Sequence, residues 1–220
     1  KKCNKLVIVE PDYSNCIADF NKVLYSSTFF EEMPPSFPRY LLSFFKKRKK
    51  FDRAILFDGR VGINYFYFFT EVINKMWLLD KIEDYKNITL IIGERTFNRK
   101  YFQYIYNNSD LKNYNWFVQR DGEYIEVQEL YLLRPMQFEG KYFENLKALL
   151  NKGETENVSR RIFLNRSIKA KRYIENFEEI KPVLAKYNFE ITDTDDAGLD
   201  YQVNLFGSVK YLVGLHYSCN

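Results

Sequence analysis

From residue 161 onward the chain alternates short apolar runs with amphipathic stretches, and this alternation restricts the fold more than any other feature. Arg161-Ile162-Phe163-Leu164-Asn165 predicts a strand. Residues 174–187 predict a helix with Ile174, Phe177, Ile180, Leu184 and Tyr187 on one side, and Pro182 within it predicts a kink. A strand over 189–192, a helix over 199–207 and a strand over 210–215 complete a βαβαβ unit, half of a Rossmann-type nucleotide-binding domain. Such units bind ligands at the carboxyl ends of their strands. Arg166 at one strand end, Arg172 just after it, and His216, the single histidine, after the last strand form a candidate anion-binding set. No G-x-G-x-x-G or Walker loop accompanies them, so arginines and helix N-termini would have to meet the phosphates. On spacing alone the arginines suit surface ion pairs with nearby glutamates equally well, and His216 suits a capped strand end.

The earlier part reads as a second α/β lobe. Residues 151–159 are polar and aperiodic and read as a linker, which divides the chain into 1–157 and 158–220. Strands are predicted over 6–9, 53–58, 88–93, 116–118 and 124–133, and helices over 98–106 and 143–150. Residues 20–30 are weakly helical, 33–38 carry three prolines and read as a loop, and 40–45 read as a short amphipathic helix. That helix runs into Lys46-Lys47-Arg48-Lys49-Lys50, which reads either as a contact for an anionic acceptor or phospholipid surface or as a solvated helix end. After Asp58, residues 59–62 turn, and Asn64 caps a helix reaching about residue 82. Its apolar residues, Tyr65, Phe69, Val72, Met76 and Leu79 with Phe66, Ile73 and Trp77, bury a wide face. A narrower polar line, Asn64, Tyr67, Glu71 and Asn74, starts at its N-terminus. Strand, glycine turn and helix in this order put Asp58 and the helix start at the carboxyl edge of a parallel sheet. Glu71 is then a candidate general base, its alternative being a solvated helix glutamate.

Composition excludes some function classes. The 220 residues suffice for a substantial core, and a net charge of +4 is too small to argue for nucleic acid. Aromatic residues make up 18% of the chain, mostly Tyr and Phe, which suits carbohydrate or protein contact surfaces or an aromatic-rich core. Cys3, Cys16 and Cys219 show neither metal spacing nor a disulfide framework, as expected of a cytoplasmic protein. No segment reaches about 18 uncharged apolar residues, so membrane association is expected to be peripheral only.

Two separated segments resemble glycosyltransferase family 61, whose members include bacterial polysaccharide-synthesis transferases, plant xylosyl- and arabinosyltransferases and animal N-acetylglucosaminyltransferases. Arg161-Ile162-Phe163-Leu164-Asn165-Arg166 followed by Arg172-Tyr173-Ile174-Glu175-Asn176 resembles the family's R-I-x-[IL]-x-R … R-x-I-x-N-E block. Phe189-Glu190-Ile191 is similar to its G-F-E-V strand, with Asn188 for the glycine. Tyr201-Gln202-Val203-Asn204-Leu205-Phe206 resembles its E-Q-[IV]-x-L-[FL] helix, with Tyr201 for the acid. Val213-Gly214-Leu215-His216 resembles the opening of V-G-x-H-G-A-G-L-T-N, after which this chain reads Tyr217-Ser218-Cys219-Asn220. Earlier, residues 64–71, Asn-Tyr-Phe-Tyr-Phe-Phe-Thr-Glu, resemble N-[YF]-[YF]-H-x-[FL]-x-[DE], with Tyr67 for the histidine.

The resemblance implies an α/β, GT-B-like fold of two Rossmann-type lobes with parallel sheets, the second lobe incomplete at its C-terminal side. It implies inverting, metal-independent transfer of a hexosyl or pentosyl group from a nucleotide-sugar to a polysaccharide or glycolipid, as in capsule-type polysaccharide biosynthesis. Glu71 would be the base, with Asp58 in reserve. Arg166, Arg172, Asn176, Gln202, Gly214 and His216 would serve the donor, and Asn64 and Tyr67 the acceptor side. No cofactor and no metal is expected; Asp193, Asp195 and Asp196 read as a loop and cap rather than a metal site. The alternative is a non-catalytic or truncated relative that binds glycan or a partner.

Overall fold

The computed structural model describes residues 2–3, 7–9, 15–18, 22–25, 45–59, 62–134, 140–150, 158–165, 173–194 and 197–214. The chain divides into two compact units, Lys1–Leu146 and Lys147–Asn220. The division falls within a helix, α4 (Gly140–Leu150), upstream of the break expected after residue 157.

The first unit is built on a sheet with a parallel half and an antiparallel half. Strands β5 (Arg48–Leu56), β6 (Thr89–Gly93), β7 (Trp116–Gln119) and β8 (Tyr124–Leu132) lie parallel in the order β8-β5-β6-β7. Beyond β8 come β2 (Val7–Val9), β3 (Asn15–Ala18) and β4 (Lys22–Tyr25), all antiparallel, and β1 (Lys2–Cys3) also pairs with β8. The parallel half agrees with expectation; the antiparallel extension is an addition to it. Residues 22–25, expected to be weakly helical, form a strand because the ladder with β3 supplies the backbone partners that an isolated helix would have to provide internally. The expected helix over 40–45 lies outside the described residues apart from Phe45. Arg48, Lys49 and Lys50 are not a helix end but the first residues of β5. Their charges are answered from the neighbouring strand: Arg48 and Lys50 both reach Glu126, at 3.2 and 3.3 Å, and Lys49 lies over the Phe117 ring.

Strands β5 and β6 read as unbroken apolar runs because both of their faces are covered. Ala54 and Leu56 pack with Ile91, Ile125, Val127, Leu130, Leu132 and Val9 on one face. Ile55 and Phe57, with the opposite parity, are equally buried. There Phe57 meets Trp116 edge-on at 5.1 Å, and Trp116 meets Phe102 at 5.7 Å. Phe102 belongs to α3 (Lys100–Asn108), which follows the one-turn helix α2 (Glu94–Phe97). The aromatic content of this region is therefore core, which is one of the two readings the composition allowed. The turn between β7 and β8 closes with Glu123 N–H donating to the Arg120 carbonyl, and Gly122 takes the positive φ of 77° that its third position favours.

The second unit matches the predicted βαβαβ order. Strand β9 (Arg160–Leu164) is central, with β10 (Glu190–Thr192) and β11 (Val209–Gly214) parallel on either side. Helix α5 (Phe177–Lys186) starts three residues later than its periodicity suggests and contains Pro182; α6 (Leu199–Gly207) agrees with its expected span. Arg160 grips Glu190 through two hydrogen bonds of 3.0 and 2.6 Å, which holds the Glu190 carboxyl below the ordinary range. Arg161 lies between the rings of Phe189 and Tyr211, 4.9 and 4.5 Å from their centroids. Ile162 and Phe163 fill the core.

Helix α5 ends in a Schellman motif. Phe189 N–H donates to the Leu184 carbonyl at 2.9 Å and Asn188 N–H to the Ala185 carbonyl at 3.0 Å, while Asn188 takes φ 56°. This left-handed position explains why a glycine is the related residue in the sequence pattern and why asparagine replaces it most easily. Asn188→Gly should leave stability unchanged or raise it, and Asn188→Val should lower it by about 1–2 kcal/mol. Urea denaturation of the two variants beside the wild type measures both; equal stability of the valine variant would contradict the assignment.

Candidate functional site

Buried polar side chains concentrate at the carboxyl end of β5. Among the described residues Asp58, Thr70, Glu71, Asn74, Lys75 and Thr96 are buried on β5 and the two elements next to its end, whereas Gln119 and Thr194 lie elsewhere. Burying such groups is costly unless each is hydrogen-bonded or paired, so their concentration in one place marks an organised site.

Asp58 is the hub. Its Oδ1 accepts from Gly59 N–H at 2.7 Å and from the Thr96 hydroxyl at 2.9 Å, and its Oδ2 accepts from Gly93 N–H at 2.8 Å. Its backbone carbonyl accepts from the Lys75 ammonium. The carboxylate fits only because glycines surround it: a β-carbon on Gly62 would stand 2.5 Å from Oδ1, and one on Gly93 2.6 Å from Oδ2. Burial raises the Asp58 pKa above the ordinary carboxylate range, against the opposing pull of the Gly59, Gly93 and Thr96 donors and the Lys75 charge. These bonds commit Asp58 to holding the turn after β5 against the start of α2.

The helical segment over residues 65–81 supplies the rest. It opens with one α-turn, α1 (Tyr65–Tyr67), capped by the Asn64 side chain, whose Oδ1 accepts from Phe66 and Tyr67 N–H at 3.0 and 3.4 Å. It widens into a π-turn over Phe68–Val72 and tightens to a 3-10 helix over Ile73–Lys81. Thr70 and Asn74 side chains donate to the carbonyls of Phe66 and Thr70, each four residues back, at 3.0 and 3.2 Å. Glu71 sits in the π-turn, only 3% exposed, and its Oε2 is 3.8 Å from where a β-carbon of Gly59 would lie. Asp58 and Glu71 therefore both come close to the same glycine. Tyr67, one turn earlier, is 38% exposed.

In the second unit the predicted residues take up local positions. Asn176 precedes α5 and donates to Glu179 at 3.2 Å. The Gln202 amide reaches the Thr194 and Ala197 carbonyls at 3.4 and 3.0 Å, which draws together the connection between β10 and α6. Gly214 pairs with Leu164, and a β-carbon there would lie 3.2 Å from Leu164 Cβ, so β11 and β9 end in close approach. Arg166 and His216 each follow those strand ends by two residues in the sequence, and they, with Arg172, lie outside the described residues.

A model of the family described as Glycosyltransferase 61 matches residues 18–219. The chain belongs to glycosyltransferase family 61. No individual curated protein matches it. Membership makes it a sugar transferase by family, acting between a sugar donor and an acceptor, and its mixed α/β build with two sheets carrying parallel strands agrees with a Rossmann-like glycosyltransferase fold. No helix among the described residues is long and apolar enough to cross a membrane.

Within this family 61 chain, the sequence reading named Asp58, Asn64 and Glu71, which lie in or next to the buried polar cluster, but not Lys75 or Thr96. Lys75 was legible. Phe68, Val72 and Leu79 are buried at helical spacing, and Lys75 occupies the open place in that stripe. Thr96 gave no signal, because a threonine on a one-turn helix is ordinary. Since folding raises the Asp58 pKa, protonated Asp58 is favoured in the native state, and the wild type should lose stability relative to Asp58→Asn as pH rises from about 3.9, the ordinary value, through the folded-state pKa. Urea midpoints of both proteins across that interval measure the difference; a wild type that gains stability relative to Asp58→Asn as pH rises would contradict a raised pKa.

Proposed function

We propose that this family 61 glycosyltransferase is an inverting, metal-independent enzyme that moves a hexosyl or pentosyl group from a nucleotide-sugar to a hydroxyl of a polysaccharide or glycolipid. The observation that carries this reading is Glu71: a buried carboxylate on a capped helix, beside a turn ordered by Asp58, at the carboxyl edge of parallel strands. Inverting transfer needs a base on the attacking hydroxyl and stabilisation of the departing diphosphate. Glu71 takes the proton, the acceptor oxygen bonds to the anomeric carbon, and the bond to the diphosphate breaks on the opposite face with its electron pair leaving on phosphate oxygen.

Arg166 and Arg172 meet that charge, since guanidinium forks suit paired phosphate oxygens without a metal. His216 contacts donor phosphate or sugar. Asn176, Gln202 and Gly214 shape the donor side, and Tyr67, exposed on the helix that carries Glu71, faces the acceptor, with Asn64 fixing the helix start. A GT-B arrangement of the two units, a cytoplasmic location and a polysaccharide-biosynthesis role follow from the same reading, and exposed Lys46 and Lys47 offer a peripheral membrane contact. A second reading, a glycan- or partner-binding relative without transfer, is favoured by Tyr67 and Tyr201 standing where the family pattern has a histidine and an acid.

One paired experiment separates the two readings. In a strong chelator, the wild type should bind nucleoside diphosphate and transfer sugar. Glu71→Gln should keep the binding and lose transfer by about 10²–10⁴-fold, while Arg166→Ala should weaken binding by about 1.5–3 kcal/mol. Calorimetry and product release measure these; no nucleotide binding by the wild type would leave only the second reading, and rescue of transfer by manganese alone would refute metal independence.

A further inference from the structure

Lys75 is 1% exposed. A lysine in an apolar stripe disfavours its own charge unless anions or carbonyl oxygens repay the lost hydration. The Asp58 carbonyl accepts from its ammonium, and the Asp58 carboxylate feels its charge. A second carboxylate, Glu71, lies four residues earlier on the same helical segment, its Oε2 3.8 Å from where a β-carbon of Gly59 would stand. Two carboxylates buried beside one residue resist joint ionisation, as paired acids in a shared site do. Among the described residues the cluster thus includes two acids and one base. Around it, the Tyr101 hydroxyl donates to the Ile63 carbonyl and senses both Asp58 and Arg99, and Gly93 and Thr96 are uncharged donors to Asp58.

We propose that Lys75 is a positioning residue whose ammonium lets Asp58 and Glu71 carry charge together, so that Glu71 is a base at neutral pH; this rests on the transferase reading above. A strut that merely ties the helix to β5 would need the hydrogen bond to the Asp58 carbonyl and nothing more. The placement of Glu71 against Gly59, the residue next to Asp58, gives the charge its second task. Asp58 then holds the turn, Lys75 sets the proton inventory, and Glu71 reacts.

Carboxyl ¹³C chemical shifts of Asp58 and Glu71, followed through a pH titration, test this in the wild type, Lys75→Met and Lys75→Arg. The wild type should show Glu71 ionised at neutral pH. In Lys75→Met one of the two carboxyls should titrate at least about one unit higher, the acid limb of the kcat/KM profile should move with it, and donor KM should stay the same. Lys75→Arg should restore both. Unchanged titrations in Lys75→Met would reduce Lys75 to a strut and overturn the proposal. Should Lys75→Met fail to fold, the wild type and Lys75→Arg decide: a protonated Glu71 at neutral pH in the wild type overturns it equally. Shifted titrations in a protein that transfers no sugar would support the charge coupling and count against the transferase reading instead.

Discussion

The first unit depends on where the Asp58 carboxylate can be satisfied. A buried carboxylate must find several donors, and Asp58 finds them on three separate pieces of chain: its own turn at Gly59, the end of β6 at Gly93, and Thr96 in α2. These bonds join the ends of two parallel strands side by side, two residues past the Leu56–Ile91 pair. The approach also demands glycine at positions 62 and 93, where any β-carbon would collide with the carboxylate. A local chain feature, the glycine-rich turn after β5, is thereby fixed by a long-range electrostatic need. The turn in turn sets where the following helix begins, and so where Glu71 lies.

The irregular winding of that helix fits the same constraint. A regular α-helix repeats every 3.6 residues and cannot freely choose which side chains face a neighbour. The π-turn over Phe68–Val72 and the 3-10 stretch over Ile73–Lys81 redistribute the rotation, and single π-turns are often found at functional sites. Here Thr70, Glu71, Asn74 and Lys75 are all buried along with Phe68, Val72, Ile73 and Leu79. Widened turns leave carbonyls less well served, and Thr70 and Asn74 answer two of them with their own side chains. The polar residues stabilise the distortion that turns them inward.

Much of this was legible in the sequence. The second unit was, because β-branched and apolar runs of strand length alternate with helical periodicity and leave no competing arrangement; α6 agreed residue for residue, and β9 and β11 within one. The parallel half of the first sheet was equally plain. The antiparallel extension was hidden, since short strands such as Lys22–Tyr25 carry little periodicity and owe their shape to β3. The basic run misled for a related reason. Arg48 and Lys50 resemble a helix end by charge, but their counterion is Glu126, far away in sequence and adjacent only once β8 lies beside β5. Of the site, Glu71 and Asp58 followed from the order strand, turn, helix, whereas their being brought to the same glycine is a matter of packing that no spacing encodes.

The two carboxylates invite an exchange of roles, and the geometry argues against it. Asp58 lies nearer the strand end, the usual place for a reacting group in α/β sheets, yet both its oxygens are taken up by short hydrogen bonds to groups that cannot leave without dismantling the turn. Proton transfer to Asp58 would weaken three of those bonds at once, since a neutral acid accepts more weakly than a carboxylate. Glu71 comes to Gly59 from the helical segment, its Oε2 3.8 Å from where a β-carbon there would lie, beside Val72, whose methyl carbon also abuts Gly59 and Gly62. A base must gain and lose a proton in every cycle without moving its scaffold. In this unit the scaffold is Asp58, and in the proposed transfer that division of labour leaves the proton to Glu71.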